Sequence, residues 1–196
     1  MSAKFSHTTA TAIEWSVATN LVHKLYKDKQ YKASLLIACG CFFGLRISDL
    51  LALSWAQLLD GEQFTTKEKK TCKERTIRVN SDLQKHIKDC ARALHIINKE
   101  EHCFLSQKHT VFTIQRINVM LKQISAKYKV KGLTSTHCLR KTFGRHIWEL
   151  ATEQGSGEMA LVMLSELFNH SSVAITKRYL GIRQSELLEC YDMLTF

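Results

Sequence analysis

Apolar positions along this chain recur mostly at helical spacing, with one interruption where they alternate. Ile13, Val17, Leu21 and Leu25 fall every four residues, and Thr11-Ala12-Ile13-Glu14 has the form of a capping box at their head. Tyr31 to Phe43 is apolar nearly all round, which predicts a buried central helix, and Gly44 follows as a left-handed cap. Gln57 to Val79 reads as a short antiparallel sheet. Asp60-Gly61 is its hairpin signal, Gln63 to Thr66 one strand, and Arg75 to Val79 the other, with Ile77 and Val79 on one face. Ser81-Asp82-Leu83-Gln84 caps another helix, with Leu83, Ile87, Cys90, Leu94 and Ile97 in register. Asn98 to His109 is a loop with Cys103-Phe104-Leu105 tucked against the core. Thr113 to Tyr128 carries the cleanest stripe, Ile114, Ile117, Leu121 and Ile124.

The remaining chain is helical by the same spacing. Thr136 caps a helix continued by Phe143, Ile147 and Leu150; Gly155-Ser156-Gly157 breaks it, and Met159 to Phe168 forms the next. Ile175 and Tyr179 share a face of the following helix, and Gln184 to Leu194 is a last short one. The predicted class is mainly α with a small antiparallel β-sheet (α+β). Residues 1–10 lack periodicity and read as a flexible lead-in; residues 11–196 read as one domain.

Composition narrows the partners. The 28 basic residues against 18 acidic give a net charge of +10, which favours a polyanionic partner, most simply nucleic acid. The seven cysteines form no C-x-x-C pair and several sit in apolar runs, so they read as reduced thiols behaving as small hydrophobes. No zinc ligand set is expected. The most apolar stretch, Ala33 to Phe43, is too short to span a membrane, and no signal peptide is visible, so a cytoplasmic location is expected.

Candidate chemistry gathers late in the chain. His137 and Arg140 lie three residues apart on one helical face. His170 follows at a helix-to-helix turn, and Tyr179 nine residues on. Arginine grips non-bridging phosphate oxygens in a planar fork, histidine moves protons, and a phenol oxygen can form a covalent link to phosphorus. Upstream, Gly44-Leu45-Arg46-Ile47-Ser48-Asp49-Leu50-Leu51 sets an arginine between two apolar segments, where it needs a counter-charge or an anion. Asp49 is one candidate counter-charge. The run Lys67-Glu68-Lys69-Lys70-Thr71-Cys72-Lys73-Glu74-Arg75 lies between the predicted strands and reads equally as a solvated turn.

Together these blocks resemble the tyrosine recombinases, the phage integrase family, over about 170 residues counted from the predicted first helix. The carriers are G-L-R-I-S-D-L-L at Gly44, K-T-C-K-E-R at Lys70, H-C-L-R at His137, and N-H-S-S-V-A-I-T-K-R-Y ending at Tyr179. Asp49 replaces the more frequent Glu, and Asn169 the usual glycine, at a turn Asn can still make. The resemblance implies the DNA breaking-rejoining catalytic-domain fold, with the family's N-terminal core-binding domain absent from this stretch.

It further implies that Tyr179 attacks the scissile phosphate to give a 3′-phosphotyrosine, followed by strand transfer to a 5′-hydroxyl. Arg46 and Arg140 bind the phosphate, His137 assists proton transfer, and His170 hydrogen-bonds the phosphate. Lys70 protonates the leaving oxygen, with Lys73 and Lys69 as alternatives, and Asp49 holds His137 or Arg46. Lys69, Lys73, Arg75, Lys141 and Arg178 are expected on DNA. No metal or other cofactor is implied. The implied partners are double-stranded DNA and further copies of the chain, as dimer or tetramer on DNA through the C-terminal segment, from a monomer when isolated. A type IB topoisomerase-like relaxing enzyme and a non-catalytic DNA-binding accessory protein are the alternatives.

Overall fold

In the computed structural model, which describes residues 10–182 and 191, helix α1 (Trp15–Lys27) leads into α2 (Tyr31–Phe43). Leu35, Ile37 and Cys39 of α2 are fully buried, as an all-round apolar helix requires. It packs against α1 and against two later helices, α5 (Ser81–Ala93) and α7 (Thr136–Glu153). Gly44 ends α2 in the left-handed conformation at φ 56°. Two short helices follow, α3 (Ile47–Leu50) and α4 (Trp55–Leu59).

Strands β1 (Gln63–Lys67) and β2 (Glu74–Arg78) then pair antiparallel, with Phe64 opposite Ile77 and both turned into the core. Beyond α5 come α6 (Ile114–Tyr128), α7, α8 (Gly157–Phe168) and α9 (Val173–Leu180). The class is the one read from the sequence.

Two apolar clusters result, and α7 separates them. Cys138 and Leu139 join the main core around α2. Phe143, Ile147 and Trp148 pack on a smaller cluster of Leu161, Leu164, Phe168, Leu180 and Ile182. Gly144 is what lets α7 approach that cluster. A Cβ there would lie 2.8 Å from Leu180 Cδ2 and 2.9 Å from Phe168 Cε2.

Gly44 carries both constraints at once, since its φ is left-handed and a Cβ would collide with the Phe143 ring. Left-handed backbone costs about 1–2 kcal/mol without glycine, and overpacking about 1–3. Gly44→Ala should therefore lower the unfolding free energy by about 2–5 kcal/mol in urea titration; an unchanged midpoint would show that the ring can move aside.

Several local expectations are corrected. Helix α1 begins at Trp15 behind Glu14, with no side-chain cap; Thr11 does not cap it, and Ile13 is buried ahead of the helix. The Ile13 amide instead donates to Thr142 Oγ1 at 2.9 Å. Gln57 belongs to helix α4, whose capping box it closes with Ser54, rather than to the sheet. Asp60-Gly61 joins α4 to β1, while the hairpin turn is residues 68–73. Caps fall one residue early, at Asn80 for α5 and Ser135 for α7, because Ser81 and Thr136 are already in helical turns. Ile97 lies past the end of α5 and is 94% exposed. The helix expected at Gln184 to Leu194 lies outside the described residues.

Candidate active site

Arg46 sits at the N-terminal edge of α3 in extended conformation, turned in by the left-handed exit of α2. Arg140 lies in the second turn of α7, buried. Both guanidinium groups reach the same oxygen, the Phe168 carbonyl at the end of α8, at 3.2 Å and 3.3 Å. The last carbonyls of a helix lack helical partners and carry its negative dipole end, so they suit cations. Arg140 also stacks over the Phe168 ring at 4.5 Å. Asn169 then turns the chain at φ 53° and ψ 48°, keeping the turn the sequence called for without glycine.

That turn delivers His170 and α9. His170 Nδ1 is 2.9 Å from Thr176 Oγ1, a side chain with no solvent exposure. The Tyr179 ring packs edge-on against His170 at 5.2 Å and Phe168 at 5.6 Å between centroids. Lys141, expected on DNA, is buried with its ammonium 5.0 Å from the Tyr179 ring centroid. Four residues from four elements thus meet: Arg46, Arg140, His170 and Tyr179.

Other candidates lie around them. His137 is exposed at the head of α7, and Lys69, Lys70 and Lys73 are exposed on the hairpin turn. Lys73 Nζ donates to Asn169 Oδ1 at 2.9 Å, tying the hairpin to the turn before His170. Asp49 is buried and accepts from the Lys69 backbone amide at 3.0 Å and from Ser48. Arg75 faces inward, donating to the Phe43 carbonyl at 2.8 Å. Arg178 is exposed and lines a cleft of about 940 Å³ with Lys141, Trp15 and His146. None of the four converging side chains lines that cleft.

Sequence reading missed Glu68. Its carboxylate is buried and meets Arg46 at 2.6 Å and Arg75 at 3.9 Å. The available signal was one acidic side chain inside a lysine run facing an arginine that needed a counter-charge. Asp49, the expected counter-charge, is taken up instead by the Lys69 amide and Ser48, and Glu68 supplies the ion pair to Arg46.

Electrostatics follow burial. Desolvation raises the Tyr179 phenol to about 12 despite Arg140, so it is neutral at ordinary pH. Desolvation and the two arginines lower the His170 pKa, and partial desolvation, Lys141 and Arg140 lower that of His137, both shifts favouring the neutral imidazole. Burial lowers Arg140 to about 10, still charged. Desolvation raises the Glu68 pKa, but hydrogen bonds from Thr71 and Arg46 outweigh it and the net shift is downward.

Among the described residues, four buried side-chain polar atoms make no hydrogen bond: Asp49 Oδ2, Arg75 Nη1, Arg140 Nη1 and Tyr179 Oη. Two belong to the four converging side chains, and Asp49 and Arg75 lie beside them. Each such group costs about 1–3 kcal/mol, which a fold tolerates where function requires it.

The Phage integrase family model matches residues 14–186. The chain is 28% identical over 180 residues to the probable integrase/recombinase YoeC of Bacillus subtilis (strain 168), covering 88% of this chain and 93% of that protein. It is 28% identical over 152 residues to tyrosine recombinase XerC of Xanthomonas campestris pv. campestris (strain B100), covering 76% of this chain but 44% of that one. The chain thus spans about half the length of several curated relatives it matches.

Two solved structures share the fold. XerA recombinase superposes with a TM-score of 0.69 at 17% identity, covering all of this chain and 68% of that one. The Tn1549 transposon integrase in complex with circular intermediate DNA gives 0.67 at 19% identity, covering 95% and 69%. With the family model matched over most of its length, the chain belongs to the phage integrase family, and its fold is the tyrosine recombinase catalytic-domain fold.

Proposed function

We propose that this chain breaks and rejoins DNA as the catalytic domain of a site-specific recombinase, with Tyr179 as nucleophile. The observation that carries the reading is the convergence of Arg46 and Arg140 on one oxygen beside His170 and Tyr179. Two planar forks aimed at a single point suit the non-bridging oxygens of a phosphodiester. Relatives named as integrases and recombinases, and DNA complexes among the structural neighbours, support the substrate class.

In the reaction, Tyr179 Oη bonds to phosphorus and the bond from phosphorus to the 5′ oxygen breaks. The phenol proton passes to His137, and Lys70 gives a proton to the departing 5′-hydroxyl. The product is a 3′-phosphotyrosine that a 5′-hydroxyl from another strand reverses. Arg46 and Arg140 stabilise charge on the transferring phosphorus centre, and His170, held by Thr176, donates to the phosphate. Because Tyr179 Oη is buried here, α9 must shift to bring it to the phosphate. The segment after Ile182 docks on a neighbouring copy when protomers assemble on DNA. Lys69, Lys73 and Arg178, all exposed, contact the DNA backbone.

The test is covalent capture on a pool of duplexes with randomised centres, each nicked so that a short 5′-hydroxyl fragment diffuses away after cleavage. A protein–DNA adduct whose tryptic map places the nucleotide on Tyr179 is the expected result. No adduct, or one on another residue, would overturn the mechanism. Plain relaxation of a supercoiled plasmid without exchange between two sites would instead indicate a topoisomerase-like enzyme.

A further inference from the structure

The turn between the strands contains a carboxylate that points the wrong way for a solvated loop. Lys67, Lys69, Lys70, Cys72 and Lys73 are exposed, whereas Glu68 is 4% exposed. Burying a carboxylate is costly unless it is paired and hydrogen-bonded. Here Arg46 Nη1 donates to Oε2 at 2.6 Å and Thr71 Oγ1 donates to the same oxygen at 2.7 Å, while Arg75 lies 3.9 Å from Oε1. The backbone closes around it, with the Glu68 amide donating to the Lys73 carbonyl and the Cys72 amide to the Glu68 carbonyl, both at 2.9 Å.

The next residue is fixed to the same corner of the fold. The Lys69 amide donates to Asp49, three residues beyond Arg46, at 3.0 Å. Two anchors therefore hold the backbone immediately ahead of Lys70. A two-stranded hairpin is marginally stable alone, so a lysine on its turn wanders unless something pins it. Proton donation requires hydrogen-bond reach, and a displacement of about 1 Å can cost on the order of 10²-fold in rate.

We propose that Glu68 is a positioning residue: gripped by Arg46 and Thr71, it fixes the turn that presents Lys70, the leaving-group acid. The proposal rests on the recombinase reading above and adds to it a residue acting through Lys70. Glu68 itself touches no reacting atom. Its own removal should therefore be felt mainly where a proton must reach the leaving group.

A leaving-group substitution separates that role from a direct effect on the clamp. In the native reaction the bond between phosphorus and the 5′ oxygen breaks and the oxygen takes a proton from Lys70. With sulfur in place of that oxygen, the phosphorus–sulfur bond breaks and a thiolate leaves unprotonated, since a thiol's pKa is about 8.5. Single-turnover cleavage is measured on the duplex recovered from the pool, in both oxygen and sulfur forms, for wild type, Glu68→Ala, Glu68→Gln, Lys70→Ala and Arg46→Ala.

Glu68→Ala should slow cleavage of the oxygen duplex about 10- to 100-fold and come within about threefold of wild type on the sulfur duplex. Lys70→Ala should show the same rescue, and Arg46→Ala should stay slow on both. Hydrogen exchange should quicken at the Lys69 and Cys72 amides in Glu68→Ala while α2 stays protected. If the alanine variant does not fold, Glu68→Gln, which keeps a hydrogen-bonding side chain, carries the comparison. Equal deficits on both duplexes, no deficit, or rescue of Lys69→Ala or Lys73→Ala instead of Lys70→Ala would overturn the proposal. Absence of any Tyr179-dependent adduct in wild type would be the distinct failure of the recombinase reading.

Discussion

Arg140→Ala is expected to reduce single-turnover cleavage by at least about 10²–10³-fold, the loss typical of removing one preorganised donor to developing charge. The site makes this a clean experiment. Arg140 keeps Nη1 without a hydrogen bond, and its Nη2 contact to Phe168 is long at 3.3 Å. Its largest tie to the fold is the stack over the Phe168 ring, worth about 0.5–2 kcal/mol. Removing an unsatisfied buried donor returns about 1–3 kcal/mol, so the net change in stability should be small. Circular dichroism and the urea midpoint should stay near wild type while cleavage collapses. Arg140→Lys keeps the charge but not the planar fork and should recover only part of the rate. Near-normal cleavage by the alanine variant would remove Arg140 from the clamp.

Tyr179→Phe should abolish the adduct completely and also change how the protein responds to alkali. The phenol's pKa rises from its usual 10.0 to about 12 in the fold, chiefly by desolvation. A raised folded-state pKa means the native state holds the proton more tightly than the unfolded chain. The associated stability is fully present below pH 10 and is lost as pH rises through about 12. Wild type should give up about 1 kcal/mol relative to Tyr179→Phe by pH 11, approaching about 3 kcal/mol above pH 12. Urea unfolding of the two proteins at pH 8 and pH 11 measures the difference directly. Parallel behaviour would mean that the hydroxyl is solvated in solution and that α9 already rests in a more open position.

Much of this architecture was readable because it depends on local rules. The bounds of α2 follow from an unbroken apolar run ended by Gly44, and the Asn169 turn from the tolerance of Asn for left-handed backbone. The converging side chains were readable from spacing and resemblance together. Arg46 needed a counter-charge, and His137 and Arg140 had to share a helical face. The identity of that counter-charge was not readable, because Asp49 is near in sequence whereas Glu68 is brought across by strand pairing.

Caps slipped by one residue where two hydrogen-bonding side chains stand side by side, as at Asn80-Ser81 and Ser135-Thr136. The inward turn of Lys141 and Arg75 was likewise hidden, since a basic residue beside a DNA-binding motif looks like a surface contact until packing is known. Tyr179 packing against His170 and Phe168 depends on where α7 admits α8 and α9, which Gly144 permits and no periodicity announces.

The hydrogen bond from the Ile13 amide to Thr142 has a practical corollary for anyone handling this protein. It fastens the stretch just ahead of α1 to the helix that carries Arg140, at a position only two residues away from that side chain. A purification tag or fusion partner joined rigidly ahead of Ile13 would lever on the phosphate clamp itself. A flexible Gly/Ser spacer would isolate it, so reaction rates should be compared only between preparations with matching leader sequences.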